Sequence, residues 1–64
     1  MIVTLPDGEK RLLTLNGCSI KYLLDELGIN PLEVLVAKNG RIVPEDDLAE
    51  KDDEIKVIRV VHGG

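Results

Sequence analysis

Sixty-four residues, 44% hydrophobic and 31% charged, make one small folded domain that buries only about 60% of the surface its unfolded chain exposes. A formal net charge of −4, with the acidic residues crowded into the second half, disfavours nucleic-acid phosphates and anionic membranes as partners and favours a protein with a basic surface. The single cysteine, Cys18, excludes an intrachain disulfide, and no segment approaches transmembrane length.

Met1 leads straight into Ile2-Val3-Thr4-Leu5, without the charged start and long apolar run of a signal peptide, so a cytoplasmic location is expected. In Met1–Leu5 the side chains of Met1, Val3 and Leu5 share one face, and Pro6-Asp7-Gly8 supplies a turn. Arg11–Leu15 is a second predicted strand, with Leu13 and Leu15 on one face, which makes the opening an antiparallel hairpin. Asn16-Gly17 ends it.

Ser19 is a good helix N-cap. After it, Ile20, Leu23, Leu24 and Leu27 fall on one helical stripe, and Gly28 stands where a left-handed C-cap belongs. Lys21, Asp25 and Glu26 take the wet face. Asn30-Pro31 blocks continuation of the helix.

Val34–Lys38 is an apolar run rich in β-branched residues, and Asn39-Gly40 then predicts a tight hairpin into Arg41-Ile42-Val43. The acidic stretch 45–53 lacks periodicity apart from Leu48, which is expected to dip into the core. Glu54–Val60 forms the last strand. With one aromatic residue, Tyr22, the core is aliphatic and there is no platform for stacking bases. The order ββαββ, loop, β fits an α+β fold, a ubiquitin-like β-grasp with a mixed sheet of four to five strands packed on one helix.

Residues 1–60 form that domain, and residues 61–64 are expected to be a flexible tail. The tail, Val61-His62-Gly63-Gly64, is the expected site. Two glycines lack side chains and adopt almost any φ/ψ, so they thread a channel that rejects a bulkier residue and bring a bare carboxylate to its floor. Fully extended, four residues reach roughly 13–14 Å. Beside the tail, Ile58 and Val60 have the opposite parity to Ile55 and Val57 and are expected to face outward as a docking surface, joined by outward members of Val34–Ala37.

The remaining chemistry-bearing residues point elsewhere. The acidic residues between Glu45 and Glu54 lack calcium-loop spacing, so no metal site is expected. Cys18 is expected to be a small buried hydrophobe, and His62 has no second His or Cys with which to hold a metal or activate a nucleophile. No constellation supports catalysis by the chain itself.

Met1-Ile2-Val3, the helix stripe, Lys38-Asn39-Gly40-Arg41-Ile42-Val43-Pro44, Asp52-Asp53-Glu54-Ile55 and the closing Gly63-Gly64 together resemble the ThiS/MoaD sulfur carriers, with the length and the Ile42-Val43-Pro44 segment closer to the ThiS type. The resemblance implies a carrier and not an enzyme. An E1-like adenylating enzyme uses ATP to convert the Gly64 carboxylate to an acyl-adenylate. A sulfur donor then makes a thiocarboxylate, and an acceptor such as thiazole synthase takes the sulfur for the thiamine thiazole. No cofactor is bound by the carrier on this reading. The alternatives are a MoaD-like carrier for molybdopterin or tRNA thiolation, a ubiquitin-like modifier captured by lysine, and a noncovalent β-grasp interaction module.

Overall fold

The computed structural model describes residues 1–60. Val61, His62, Gly63 and Gly64 lie outside the described residues. The chain forms β1 (Ile2–Thr4), β2 (Lys10–Leu12), β3 (Cys18–Ser19), helix α1 (Ile20–Glu26), a 3-10 turn (Pro31–Glu33), β4 (Val34–Lys38), β5 (Arg41–Val43), β6 (Leu48–Ala49) and β7 (Glu54–Arg59). Five of the strands make one sheet in the order β2-β1-β7-β4-β5. The β1–β7 pair is parallel and the others are antiparallel. One helix on this mixed sheet is the ubiquitin-like β-grasp.

The helix begins where the sequence puts it. Ser19 Oγ accepts from the Tyr22 amide at 3.1 Å, which satisfies one of the donors a helix leaves unpaired at its start. At the other end, Gly28 adopts φ +72°. The Gly28 amide donates to the Asp25 carbonyl and the Ile29 amide to the Leu24 carbonyl. This is the paired pattern of a Schellman cap, which requires a left-handed residue where Gly28 stands. The stripe Ile20, Leu23, Leu24 is fully buried against Val3, Ile55 and Val57 from the sheet.

Three local features differ from the sequence reading. The second strand is Lys10–Leu12, not Arg11–Leu15, because its last bond to β1 runs from the Leu13 amide to the Met1 carbonyl, where β1 has no more residues to offer. Leu13 and Leu15 still pack on the core from outside a strand. Asn30 does more than stop a helix: its side chain accepts from the Leu32 amide at 3.0 Å and caps the 3-10 turn. Leu48 does not dip into the core. It is 54% exposed while Ala49 is fully buried, because β6 pairs with β3 and strand alternation sends Ala49 inward.

The Asn39-Gly40 hairpin carries more than a turn. Both residues have positive φ, 51° and 85°, as a type I′ turn demands. The Asn39 side chain donates to Asp53 Oδ1 and accepts from the Glu54 amide, both at 2.9 Å. Asp53 in turn accepts from the Glu50 amide at 2.8 Å. Lys38 Nζ meets Asp47 at 2.9 Å and the Leu48 carbonyl at 3.0 Å. The hairpin thereby ties down the acidic connection.

These bonds shift ionisation. The Glu50 amide, then the Asn39 side chain, hold the Asp53 carboxyl below its ordinary range. The hydrogen bond from Lys38 does the same for Asp47. A carboxyl with a lowered folded-state pKa contributes stability that is present above its unfolded pKa and is lost as pH falls through the folded value. Chemical denaturation is therefore expected to show stability declining as pH drops below about 4, with a smaller decline in Asp53→Asn. Asn39→Ala loses both side-chain bonds and places a Cβ residue at positive φ without compensation, so urea titration should report a loss of about 2 kcal/mol.

Candidate functional site

Strand alternation divides β7 between two environments. Ile55 and Val57 point to the helix and are buried, whereas Lys56 and Ile58 point to the solvent face. The strand ends in a fixed position, because the Val60 amide donates to the Glu33 carbonyl at 2.8 Å. Val60 is half-buried there. The described chain therefore ends at the corner between β7 and the 3-10 turn. The sequence-derived site residues beyond that corner, Val61, His62, Gly63 and Gly64, lie outside the described residues.

Ile58 is 39% exposed and stands opposite Leu35, which is 48% exposed. One row further along β4, Ala37 lies between Lys56 and Ile42, and Ile42 is 59% exposed. Ile58, Leu35 and Ile42, with the buried Ala37 between them, form a strip across β7, β4 and β5, about 10 Å wide at ordinary strand spacing. Of the Val34–Ala37 run, Leu35 and Ala37 belong to this face, while Val34 and Val36 point to the helix.

Ile42 was not assigned to the docking surface from the sequence, although the signal was present. A two-residue turn at Asn39-Gly40 makes Lys38 and Arg41 partners, and counting one step outward puts Ile42 opposite Ala37. A second apolar pair, Ile2 with Leu12, occupies the same solvent face at its other end. Leu12 was missed because the predicted strand was displaced toward Leu15.

On the helix side, beside the corner where the described chain ends, lies a groove of about 630 Å³. Leu5, Leu27, Ile29 and Val34 line it, with Arg11 and Arg59 among its charged residues. Cys18 is half-buried at the start of the short β3–β6 ladder and packs on the core. Among the described residues, no group of three or more His, Cys, Asp and Glu side chains converges in a way that would hold a metal ion. No described helix is long and apolar enough to cross a membrane.

Comparison with known proteins agrees with this geometry. The chain matches the model of the small archaeal modifier protein 2 family over residues 2–61. An uncharacterized protein of Archaeoglobus fulgidus is 49% identical over 49 residues, which cover 77% of this chain and 72% of that one. The match supports the broad class of ubiquitin-like small modifiers related to sulfur carriers.

The two parities of β7 should respond differently to the same kind of change. Ile58→Lys, on the solvent face, is expected to cost less than about 1.5 kcal/mol in urea denaturation, whereas Val57→Lys, which buries an unpaired charge, should abolish cooperative folding.

Proposed function

This chain belongs to the small archaeal modifier protein 2 family, a family of small ubiquitin-like modifiers and not of catalysts, and from that premise we propose that its terminal Gly64 is the reacting group. A carboxylate is resonance-stabilised and negatively charged, so it repels nucleophiles. An E1-like enzyme removes that barrier by letting a carboxylate oxygen attack the α-phosphorus of ATP, with pyrophosphate leaving. In the resulting acyl-adenylate, AMP is the leaving group. A lysine amine that attacks the acyl carbon gives up a proton and forms an isopeptide bond, which makes the chain a protein modifier.

The observation that carries this reading is the family match across residues 2–61 combined with the Gly63-Gly64 ending. The geometry is compatible with it. A docking partner that grips the Ile58, Leu35 and Ile42 strip holds a face whose strand, β7, leads to the corner at Val60. Ile58 sits on that strip, and the described chain ends at Val60. In a protein interface a few centrally buried residues carry most of the affinity.

A second fate of the same adenylate is favoured by the Lys38–Pro44 segment and the Asp53-Glu54-Ile55 motif, which resemble those of the ThiS carriers. There a sulfur donor displaces AMP and leaves a Gly64 thiocarboxylate, the sulfur source for an acceptor such as a thiazole synthase. Both fates use the same activating enzyme and the same residue. They diverge only in the nucleophile.

Intact-mass analysis after incubation with an archaeal E1-like enzyme and ATP separates the outcomes. An added adenylate, conversion to lysine-linked conjugates when a protein acceptor is supplied, and loss of both on deletion of Gly64 are expected. Exchange of one oxygen for sulfur in the presence of a sulfur donor would identify the carrier fate. A mass that never changes sinks the proposal. In the same assay Ile58→Lys should raise KM for the carrier about tenfold with kcat little changed, since the lost contact serves binding and not chemistry.

A further inference from the structure

The outer edge of β2 carries backbone groups that the sheet leaves unused. The Leu5 amide donates to the Glu9 carbonyl at 2.7 Å and the Leu13 amide to the Met1 carbonyl at 2.8 Å, with Arg11 opposite Val3 between them. Antiparallel pairing alternates, so residues 9, 11 and 13 turn their N–H and C=O groups toward β1. Lys10 and Leu12 turn theirs away. β2 is the end strand of the sheet, and no described strand covers those four groups.

The opposite edge is not equivalent. The type I′ turn makes Lys38–Arg41 and Val36–Val43 the bonded pairs of the β4–β5 hairpin, which leaves Ile42 alone facing outward. Pro44, immediately after β5, has no N–H to offer. Of the two edges of the five-stranded sheet, β2 is the one whose described residues include two outward-facing positions, Lys10 and Leu12.

The side chains beside those groups define a chemistry. Leu12, 77% exposed, and Ile2 form an apolar pair on the solvent face, next to Lys10. Arg11, opposite Val3, points to the helix side and lines the groove with Leu5, Leu27 and Ile29. The nearest acid to Arg11 is Glu9 at 3.7 Å, with both side chains about half exposed, a contact too weak to withhold the guanidinium from another partner. Two copies pairing edge to edge would oppose Arg11 to its own counterpart in the register centred on Arg11, and Lys10 to its own in the register centred on Lys10, and like charges directly opposite are destabilising.

We propose that β2 is a strand-addition site for an extended segment of a partner protein in which aliphatic residues are flanked by carboxylates. The main chain of that segment pairs with Lys10 and Leu12. Its aliphatic side chains lie against Ile2 and Leu12 on one face and at the groove on the other, and its carboxylates meet Lys10 and Arg11. Backbone bonds supply affinity and the alternating side chains supply selectivity. This contact is noncovalent and does not involve Gly64, so it stands or falls apart from the acyl chemistry above.

The probe is a capped octapeptide of four valines with two glutamates at each end, titrated into the 15N-labelled full chain. Saturable shifts at the Lys10 and Leu12 amides, with slower exchange of those two protons, are expected, and they should persist when Gly64 is deleted. Leu12→Pro removes one outward N–H while sparing the bonds to β1, and should weaken binding about tenfold. Arg11→Glu, which leaves the backbone intact and decides the matter if the proline variant misfolds, should weaken it similarly and reverse the preference toward a lysine-flanked peptide. Absence of saturable shifts at millimolar peptide, equal binding of glutamate- and lysine-flanked peptides to the unaltered chain, or shifts confined to Leu35, Ile42 and Ile58 would each overturn the proposal. The first of these outcomes would mean that the lysine on this edge serves only to keep chains apart.

Discussion

The parallel pairing of β1 with β7 is the constraint on which the rest of the structure depends. It brings Val3 beside Ile55 at the centre of the sheet, joining residues from opposite ends of the chain. Both are fully buried, and the helix stripe of Ile20, Leu23 and Leu24 closes over them. A parallel pair needs a crossover connection, and here the intervening helix and the β4–β5 hairpin supply it. The cost is a long loop to close before the central contacts form, a topology that slows folding relative to one built on local contacts.

Once β7 occupies the middle of the sheet, its solvent parity becomes functionally available. The helix covers one face only, so Lys56 and Ile58 remain on the other, beside Leu35 and Ala37 of β4. An apolar strip on the open face of a 64-residue chain does not contribute to the core. Its members lie on the same open face of the sheet as the outward side of β7. The Val60–Glu33 hydrogen bond fixes the end of β7 against the 3-10 turn.

Much of this was legible in the sequence because local signals and fold agreed. Ser19 and Gly28 bound the helix by hydrogen-bond chemistry that depends on a few adjacent residues, and Asn39-Gly40 fixes the hairpin register by turn geometry alone. What failed was tertiary. Nothing near Leu48 says that β6 will pair with β3 and turn Ala49 inward in its place, and nothing near Leu13 says that β1 will end first. The solvent strip was read in part, through the parity of Ile58, but Ile42 became visible only once the register was counted from the turn. The two hydrogen bonds of Asn39, one donated to Asp53 and one accepted from the Glu54 amide, had no sequence signature, since the three residues come together only after β7 docks against β4.

The Asn39 clamp also explains how an acidic connection is tolerated beside the sheet. Between Glu45 and Glu54 the chain gathers seven carboxylates, and unconfined they would repel one another into an extended loop. Asp53 is instead turned inward onto the Glu50 amide and Asn39, and Asp47 onto Lys38, so two of the charges are spent on fixing the loop and the others face water. The connection then holds β6 in place, which holds β3, and β3 delivers Ser19 to its capping position. A polar turn at one end of the molecule thus supports the start of the helix that covers the β1–β7 pair, and the solvent face is left open because the helix is committed to the other side.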